Sequence, residues 1–326
     1  MKTLLQLLPL SLLLAIFIIA SRPASTSADE PARLSVEKLD GRVRINVGDK
    51  LFAEYVFQGY AKPFVYPLHG PGQVALTRNF PMRAGVQGEP TDHPHHKSLW
   101  LAHGKVNGED FWTEKGRIVH ERIASIDETP QRVVITANNR WVNRKGEVVC
   151  TDTTRIGFME LAGGARAIDY DVTIHASQGA VTFGDTKEGF MAVRVHPALQ
   201  LTGDPKQGVT AANGHAVNSR GVKDKAVWGQ QADWIDYSGQ VDGQMMGLAM
   251  FDHPGNLRHP TYWHARDYGL VAANPFGVSD FTAKKQTGGA YTLPAGQDLR
   301  CRYRIILHRG DAQQAGIAKL YEEYSK

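Results

Sequence analysis

The sequence lacks any long apolar run beyond its first 20 residues. No later segment approaches about 18 consecutive apolar residues, the length from which a membrane-spanning helix is inferred. It also lacks a block of basic residues, since 37 Lys and Arg stand against 33 Asp and Glu and the net charge is +4. Nucleic-acid-binding domains carry a clustered basic face. These absences exclude a membrane span after the N-terminal segment, and we expect no nucleic-acid partner.

Cysteine is almost absent, with Cys150 and Cys301 as the two in the chain. Because no cysteine follows the apolar N-terminal segment directly, a lipoprotein anchor is not expected. The two thiols could pair in an oxidising compartment, and isolated cysteines far apart in sequence are equally often buried thiols. The sequence leaves both states open.

The N-terminus has the layout of a secretory signal peptide. Lys2 supplies a positive charge, residues 3–20 are almost entirely apolar, and residues 24–28 are small. That order predicts a signal peptide over residues 1–28, cleaved after Ala28, with cleavage after Ala20 as the alternative. The apolar run is nearly long enough to span a bilayer, so an uncleaved anchor is the competing interpretation. We expect an exported protein, periplasmic or extracellular, whose residues 29–326 form a single β-sandwich domain.

Alternating apolar and polar residues run through most of the chain. Residues 34–39 and 43–47 alternate around Asp40-Gly41, which predicts a β-hairpin. Many such runs without intervening helical periods predict an antiparallel sandwich or barrel. The further predicted strands cover residues 50–57, 117–126, 131–142, 147–159, 165–175 and 299–307.

Only the C-terminal end shows a helical period. Asp311 is predicted to cap a helix, because the apolar residues that follow fall at helical spacing. These residues are Ile317, Leu320, Tyr321 and Tyr324. We expect the helix to pack on the sheet as a lid. The predicted fold is therefore all-β, a large antiparallel β-sandwich with a short C-terminal helix.

Two stretches, residues 59–112 and 249–289, show no regular pattern and are predicted to be long loops, which are usually functional in compact domains. Seven of the 13 histidines lie in two short windows within them, residues 92–103 and 252–264, and both windows open with Asp-His-Pro. The seven are His93, His95, His96, His103, His253, His259 and His264. The proton of histidine moves near neutral pH. We predict that the two windows converge in one cleft, with Glu188 facing it.

Three interpretations of the histidines stay open. In the first, imidazoles and a carboxylate bind a polyol and transfer protons without a metal. In the second, a divalent metal is held by His93, His95 and His103, although the cupin-like pair lacks the glutamate expected near Leu99. In the third, the histidines only cap loops.

Aromatic and charged residues accompany the windows. Flat rings beside polar groups suit a sugar, whose C–H face stacks while its hydroxyls form hydrogen bonds. The predicted catalytic residues are His93, His95, His96, His103, Glu188, His253 and His264. The predicted substrate-binding residues are Arg78, Trp100, Lys187, Trp263 and Asn274.

An ordered set of motifs resembles a bacterial family whose members are often labelled "methane oxygenase PmoA". The set covers nearly the whole chain after the signal peptide. It comprises Gly70-Pro71, Thr77-Arg78, Asp92-His93-Pro94-His95-His96, Leu99-Trp100, Ala102-His103-Gly104, Val106-Asn107-Gly108, Asp110-Phe111-Trp112, Asp185-Thr186-Lys187-Glu188-Gly189, Asp252-His253-Pro254, Trp263-His264, Asp267-Tyr268-Gly269 and Asn274-Pro275-Phe276-Gly277.

The resemblance implies an exported β-sandwich similar to the mutarotase-like sandwiches that handle carbohydrate. The expected function is therefore binding or processing of a small or oligosaccharide substrate by acid–base chemistry, of lyase, epimerase or hydrolase type and without a required cofactor. A metal-dependent enzyme and a non-catalytic binding module of the cell envelope are the alternatives.

Overall fold

The computed structural model describes residues 33–326, and the predicted signal peptide lies outside the described residues. The strands are β1 (Leu34–Leu39), β2 (Arg42–Val47), β3 (Lys50–Val56), β4 (Phe64–Leu68), β5 (Leu99–His103), β6 (Arg117–Thr129), β7 (Arg132–Val142), β8 (Val148–Glu160), β9 (Arg166–His175), β10 (Val181–Phe183), β11 (Gly189–Arg194), β12 (His215–Asn218), β13 (Trp234–Val241), β14 (Gln244–Asp252), β15 (Tyr262–Ala265), β16 (Leu270–Asn274), β17 (Tyr291–Leu293) and β18 (Asp298–Arg309). The α-helices are α1 (Val278–Phe281) and α2 (Ile317–Tyr324).

Two large antiparallel sheets form the sandwich, which confirms the predicted fold class. The first sheet has the order β1-β2-β3-β4-β5-β11-β16-β15, and the second has the order β12-β13-β14-β18-β9-β8-β7-β6. Strands β10 and β17 pair separately. Since β5, β11, β16 and β15 are neighbours, residues far apart in sequence meet in the first sheet.

The alternating segments form strands close to their predicted bounds. The β1–β2 hairpin turns at Asp40-Gly41, where Gly41 has a φ of 69°, a conformation that glycine adopts without strain. Strands β7, β8, β9 and β18 alternate over much of their length between buried and more exposed residues. One face of the second sheet therefore packs against the core while the other faces outward.

The two stretches predicted as long loops are not structureless, and this prediction is wrong. Strands β4 and β5 lie within residues 59–112, and β15, β16 and α1 lie within residues 249–289. All residues of β5 and β16 are buried. A strand that is buried on both faces has no alternation, so its sequence gives no strand period.

The C-terminal helix forms, but Asp311 does not cap it. Helix α2 begins after Gly316, and the Asp311 side chain instead accepts a hydrogen bond from the Gln314 backbone at 2.8 Å. The helix packs on the outer face of the second sheet, where Ile317 contacts a small cluster that includes Phe251 and Ile306. No helix among residues 33–326 is long and apolar enough to cross a membrane.

The main core lies between the two sheets and contains both cysteines. Cys150 and Cys301 are buried, unpaired thiols. Burial raises the pKa of the Cys301 thiol to about 12, so this thiol is protonated and unreactive while the chain is folded.

Candidate functional site

The candidate site lies on the outer face of the first sheet. One row of paired residues crosses four strands, from Trp100 on β5 through Ala192 on β11 and Ala272 on β16 to His264 on β15. Paired residues point to the same face. The two alanines leave room above the sheet, and the Trp112 indole lies there between two rings. Its ring centroid is 5.3 Å from that of Trp100 and 6.4 Å from that of His264.

Asp92 is the centre of a charged network at one end of this row. Arg194, which is fully buried, donates to both Asp92 oxygens at 3.0 and 3.2 Å. Arg78 donates to the same carboxylate, and the His93 Nδ1 lies 2.7 Å from its other oxygen. Burial acts to raise the pKa of Asp92, but the His93 hydrogen bond and the two arginines hold it well below its usual range. Asp92 is therefore ionised.

The ionised carboxylate sets the tautomer of His93. Because Asp92 can only accept, the His93 Nδ1 carries a proton, and in the neutral tautomer the lone pair is on Nε2. His93 has a φ of 45°, and its side chain is 40% exposed, so the ring is partly open to a ligand. The imidazole is stacked between His96 at 4.7 Å and Tyr268 at 5.2 Å, which holds the ring in place.

A chain of rings connects the first histidine window to His264. The ring centroid of Trp112 lies 5.7 Å from that of His96 and 6.4 Å from that of His264. His95 contacts His96 at 4.6 Å. The structure thus brings His93, His95, His96 and His264 together, although the two windows are about 150 residues apart in the chain.

The contacts form a closed ring through three residues that are not among the predicted site residues, although one of them, Tyr268, belongs to the motif Asp267-Tyr268-Gly269. Trp228 contacts His264 at 5.0 Å, and the Arg266 guanidinium lies over both Trp228 at 5.1 Å and Tyr268 at 5.3 Å. Arg266 and Tyr268 closely follow His264, so their proximity in sequence was the available signal. We call the closed set the His–Trp cluster. Its members are His93, His96, Trp112, His264, Trp228, Arg266 and Tyr268.

The imidazoles of His264 and of the half-buried His95 next to the cluster are neutral. Burial lowers the pKa of His264 to about 4, and burial with the nearby Lys62 charge lowers the pKa of His95 to about 4. His264 Nδ1 donates to the Lys187 carbonyl at 2.8 Å, so its Nε2 is an acceptor. That atom is buried without a partner among residues 33–326.

A second charged group, also absent from the sequence prediction, lies beneath the rings. Glu114 Oε1 accepts from Lys62 Nζ at 2.9 Å and from Lys97 Nζ at 2.8 Å. Both lysines are buried, and burial lowers the pKa of Lys62 to about 8. Lys62 also lies 5.9 Å from the Trp100 ring. In the sequence, the one indication of this charged group was that Lys97 directly follows His95 and His96.

Neither predicted stacking tryptophan presents a free face. Trp100 is fully buried, with His96 stacked at 5.2 Å and Trp112 at 5.3 Å. Trp263 is also fully buried and donates to the Ala232 carbonyl. Because Trp263 adjoins His264 in a strand, it points to the opposite, core-facing side. The prediction that these two residues stack on a sugar is therefore wrong.

Arg78 and Asn274 position loops rather than face a ligand. Arg78 is buried and donates to the carbonyls of Phe80, Pro90, Asp92 and His93. Asn274 donates to the carbonyls of Thr186 and Lys187 and accepts from the Phe276 backbone. Their polar groups are committed within the protein, which corrects the predicted substrate-binding role.

His103 lies apart from the other histidines of its window. Its ring packs against Phe183 and Phe276, and Nε2 donates to the Gly184 carbonyl at 2.8 Å. Burial lowers its pKa to about 4. His103 therefore does not join His93 and His95 in a metal site. In the part of the chain that the structure describes, no three His, Cys, Asp or Glu side chains are grouped as metal ligands.

His253 lies on the outer face of the second sheet, away from the His–Trp cluster. Its ring contacts Tyr324 of α2 at 5.2 Å, and its Nδ1 accepts from the Gly255 backbone at 2.9 Å. The second Asp-His-Pro motif thus does not contribute to the site. Its Asp252 is buried and bonds to Asn256 and His259, so the motif orders a loop.

Glu188 and Lys187 border the His264 end of the site. Lys187 Nζ lies 2.6 Å from Glu188 Oε1, and both side chains are about one-third exposed, at 37% and 30%. Burial acts to raise the pKa of Glu188, but hydrogen bonds from Lys187 and Thr186 lower it below its usual value. Glu188 is therefore an ionised acceptor and not a proton donor near neutral pH.

A cavity of about 190 Å³ opens beside Asp92 and Arg194. Gln200 lines it, is 1% exposed, and has an Nε2 without a partner among the described residues. Tyr268 and Asp267 form another part of the wall. The cavity thus offers a free amide donor next to carboxylate acceptors and an aromatic ring.

Comparison with known proteins gives structural similarity at low scores. None of the curated proteins matches the chain. A polysaccharide lyase is 12% identical with a TM-score of 0.34, and the match covers 90% of this chain and 34% of the lyase. A 4-alpha-glucanotransferase from Thermococcus litoralis is 10% identical with a TM-score of 0.31, over 86% of this chain and 40% of that enzyme.

A third similar structure is a GalM/aldose epimerase homologue from C. elegans. It is 8% identical with a TM-score of 0.33, and the match covers 85% of this chain and all of the homologue. This chain spans only about a third of the polysaccharide lyase. Similarity at this level does not define a substrate.

The sequence itself matches one family over most of its length. The match runs from residue 42 to residue 322, so it includes β2 to β18 and every residue of the His–Trp cluster. The protein is a member of the family of unknown function DUF6807.

Proposed function

We propose that this protein, once exported, binds a carbohydrate beside the His–Trp cluster and transfers a proton with His93 as the general base. One observation carries the proposal. An accessible imidazole is paired with an ionised aspartate, and two buried arginines hold that aspartate in place. A carboxylate that fixes the tautomer of a histidine prepares the other ring nitrogen for proton transfer.

The free polar groups nearby suit a polyhydroxylated ligand. His264 Nε2 is an acceptor and Gln200 Nε2 a donor, each without a partner among the described residues. A sugar hydroxyl both donates and accepts, so one ligand can satisfy groups of both kinds. Buried polar atoms without partners are rare and point to a role in binding.

The charge states favour one class of reaction. Glycoside hydrolysis by the usual route needs a protonated carboxylic acid next to a second carboxylate. Asp92 and Glu188 both have lowered pKa values, so neither supplies that proton. A single imidazole base fits epimerase, mutarotase or lyase chemistry, in which it takes a proton from a hydroxyl or an acidic C–H group and, as the imidazolium, returns a proton to the product or to the leaving group.

The metal-dependent alternative is less well supported. His93 and His96 use Nδ1 for Asp92 and Arg194, which leaves one nitrogen on each. Buried guanidinium groups beside the histidines also oppose a divalent cation. A non-catalytic binding module would have no need of an accessible general base, whereas here Asp92 orients His93 as one.

The test has two stages. A thermal-shift screen of neutral and acidic sugars identifies ligands, and ¹H NMR in D₂O then follows deuterium incorporation or anomer exchange in each. We expect His93→Asn to slow proton transfer about 100-fold or more and to leave the thermal shift nearly unchanged. Asparagine tolerates the left-handed backbone at this position.

His215→Asn is the matched control, because the His215 side chain is 74% exposed and lies outside the cluster. It should leave the rate unchanged. Undiminished proton transfer by His93→Asn would remove His93 as the base. If no sugar in the panel raises the melting temperature, the carbohydrate proposal fails as a whole.

A further inference from the structure

The outer face of the second sheet carries a group of arginines that the proposed function does not use. Arg155 on β8 and Arg302 on β18 are both paired in register with Asp171 on β9. The two arginines therefore lie in one row, two strand separations or about 10 Å apart. Arg304 and Asp169 form the neighbouring pair of the same face.

The acidic residues of this face are already neutralised. Asp169 accepts from Arg304 Nε at 2.6 Å and from Arg132 at 3.3 Å, while Asp171 is bound by Arg300. Within residues 33–326, Arg155 and Arg302 have no acidic partner. Two guanidinium groups are therefore free to bind anionic groups from outside.

A glycine lets a further arginine lie close to the sheet beside these side chains. A Cβ atom at Gly157 would lie 2.9 Å from an Arg132 nitrogen, so the guanidinium extends across the glycine. The surrounding cavity measures about 490 Å³. We call it the arginine cavity. Its principal lining residues are Arg132, Arg155, Gly157, Asp169, Asp171 and Arg302.

Two rings form the wall of the arginine cavity near α2. Tyr324 and His253 both line it, and Arg304 lies over the Tyr324 ring at 4.7 Å. Burial, followed by the charge of Arg302, lowers the pKa of His253, so this imidazole is neutral. Rings next to free guanidinium groups suit a ligand with both an apolar sugar face and a negative charge.

We propose that the arginine cavity binds a segment of an acidic polysaccharide, whose carboxylate or sulfate groups pair with Arg155 and Arg302. The site lies on the opposite face of the sandwich from the His–Trp cluster, and it does not depend on the chemistry proposed there. It places His253, which the first site leaves without a role, in the wall of a second binding site.

The mixed charge of the cavity favours a saccharide over a denser polyanion. Asp169 and Asp171 keep carboxylate oxygens next to the arginines, and such oxygens accept hydrogen bonds from sugar hydroxyls. Arg155 and Arg302, which have no acidic partner among the described residues, lie about 10 Å apart, so they suit two separated anionic groups better than a closely spaced run of phosphates, such as a nucleic-acid strand. A glycan that carries one acidic group on each sugar meets both requirements.

The test measures binding of an oligogalacturonate to the full chain by calorimetry at low salt. Arg155→Ala combined with Arg302→Ala should weaken binding at least tenfold, because each arginine supplies a charge-assisted pair. Neither arginine bonds to an acidic residue, so the melting temperature should stay within a few degrees of that of the parent protein. A neutral maltooligosaccharide of equal length should bind at least tenfold more weakly.

The matched control removes two arginines elsewhere, Arg117 and Arg220, which are exposed. This control has the same net charge as the variant that lacks Arg155 and Arg302, and it should bind the oligogalacturonate as tightly as the parent protein does. Equal weakening in both variants would mean that only overall charge matters, which overturns the proposal. Tighter binding of a single-stranded oligonucleotide than of the oligogalacturonate would also overturn it.

The His93→Asn variant separates the two proposals. It should bind oligogalacturonate with the affinity of the parent protein, since His93 lies on the other sheet. A loss of oligogalacturonate binding in this variant would place the ligand at the His–Trp cluster and overturn the assignment to the arginine cavity.

Discussion

Arg194 donates hydrogen bonds to both carboxylate oxygens of Asp92 from a fully buried position on β11. Its other terminal nitrogen donates to His96 Nδ1 at 3.2 Å. One guanidinium therefore fixes the orienting partner of His93 and the ring on which His93 stacks. The candidate base is therefore positioned by a residue of the sheet as well as by Asp92 of its own loop.

Replacing Asp92 by Asn should destabilise the fold. The substitution keeps the shape but leaves the charges of Arg78 and Arg194 without a counter-ion, and removal of one partner from a buried ionic group costs about 3 kcal/mol. The free energy of unfolding from urea titration measures this. Asp298→Asn is the control, because Asp298 pairs with His175 on the surface and should cost less than about 1 kcal/mol. Equal losses would contradict the network.

Stability should fall as the pH drops from about 6.5 to 4. Burial lowers the pKa of His264 to about 4, whereas an unfolded histidine has a pKa of about 6.5. Between these values the unfolded chain binds more protons, so the free energy of unfolding decreases with decreasing pH.

Replacement of His264 should make the free energy of unfolding less dependent on pH. His264→Gln keeps a donor for the Lys187 carbonyl and should reduce the loss of unfolding free energy between pH 7 and 4 by on the order of 2 kcal/mol. Urea titrations across this range measure the change. The exposed control His215→Gln should keep the parent curve, and an unchanged curve for His264→Gln would show that this imidazole is not buried as described.

The shared carboxylate of Glu114 should make two lysine substitutions non-additive. Lys62→Met leaves Glu114 paired with Lys97, and Lys97→Met leaves it paired with Lys62, so each should cost about 1–2 kcal/mol. The double variant leaves a half-buried carboxylate without either partner, and we expect it to cost at least 1 kcal/mol more than the two single losses together. Urea unfolding of the parent protein, the two single variants and the double variant gives the coupling free energy between the two lysines. If the losses of unfolding free energy simply add, the lysines do not share Glu114 as a partner.

The two thiols should be free but inaccessible. A thiol reagent such as DTNB should react slowly with the native protein and should titrate both cysteines after unfolding, because Cys150 and Cys301 are buried and unpaired. Reductant should leave the melting temperature unchanged. Unfolded protein in which no thiol reacts would instead indicate a disulfide.

Expression with the native N-terminus should yield an exported protein that begins at Asp29. Intact-mass measurement of the mature chain distinguishes this from cleavage after Ala20, which would leave Ser21 first. A full-length product that stays with the membrane would show that the apolar segment is an anchor.

The parts of the fold that sequence predicted are those with a visible period. Strands β7 to β9 alternate because one face is packed and the other is more open to solvent. Strands such as β5 and β16 are five residues long and buried throughout. With no solvent-facing side there is no alternation to detect, so the strands that carry the site were read as loop.

The candidate site divides in the same way. Composition alone selected His93 and His264, because unusual residues crowd two windows. Composition could not show that His253 lies away from the site. Asp252 is the last residue of β14 and its side chain is buried, whereas His253, the next residue, contacts α2 on the outer face of the second sheet. Lys62 and Glu114 are 52 residues apart, and nothing local marks either as a partner of the other.

The position of β18 has a consequence for how the chain is made. It lies between β9 and β14 in the second sheet, yet it follows every other strand in the sequence. During synthesis, β9 and β14 therefore have no shared neighbour until residues 298–309 have emerged. Each presents an unpaired edge until then, and unpaired edges are where strands from other chains add. The last strand to be made joins the two halves of the sheet and removes both edges at once.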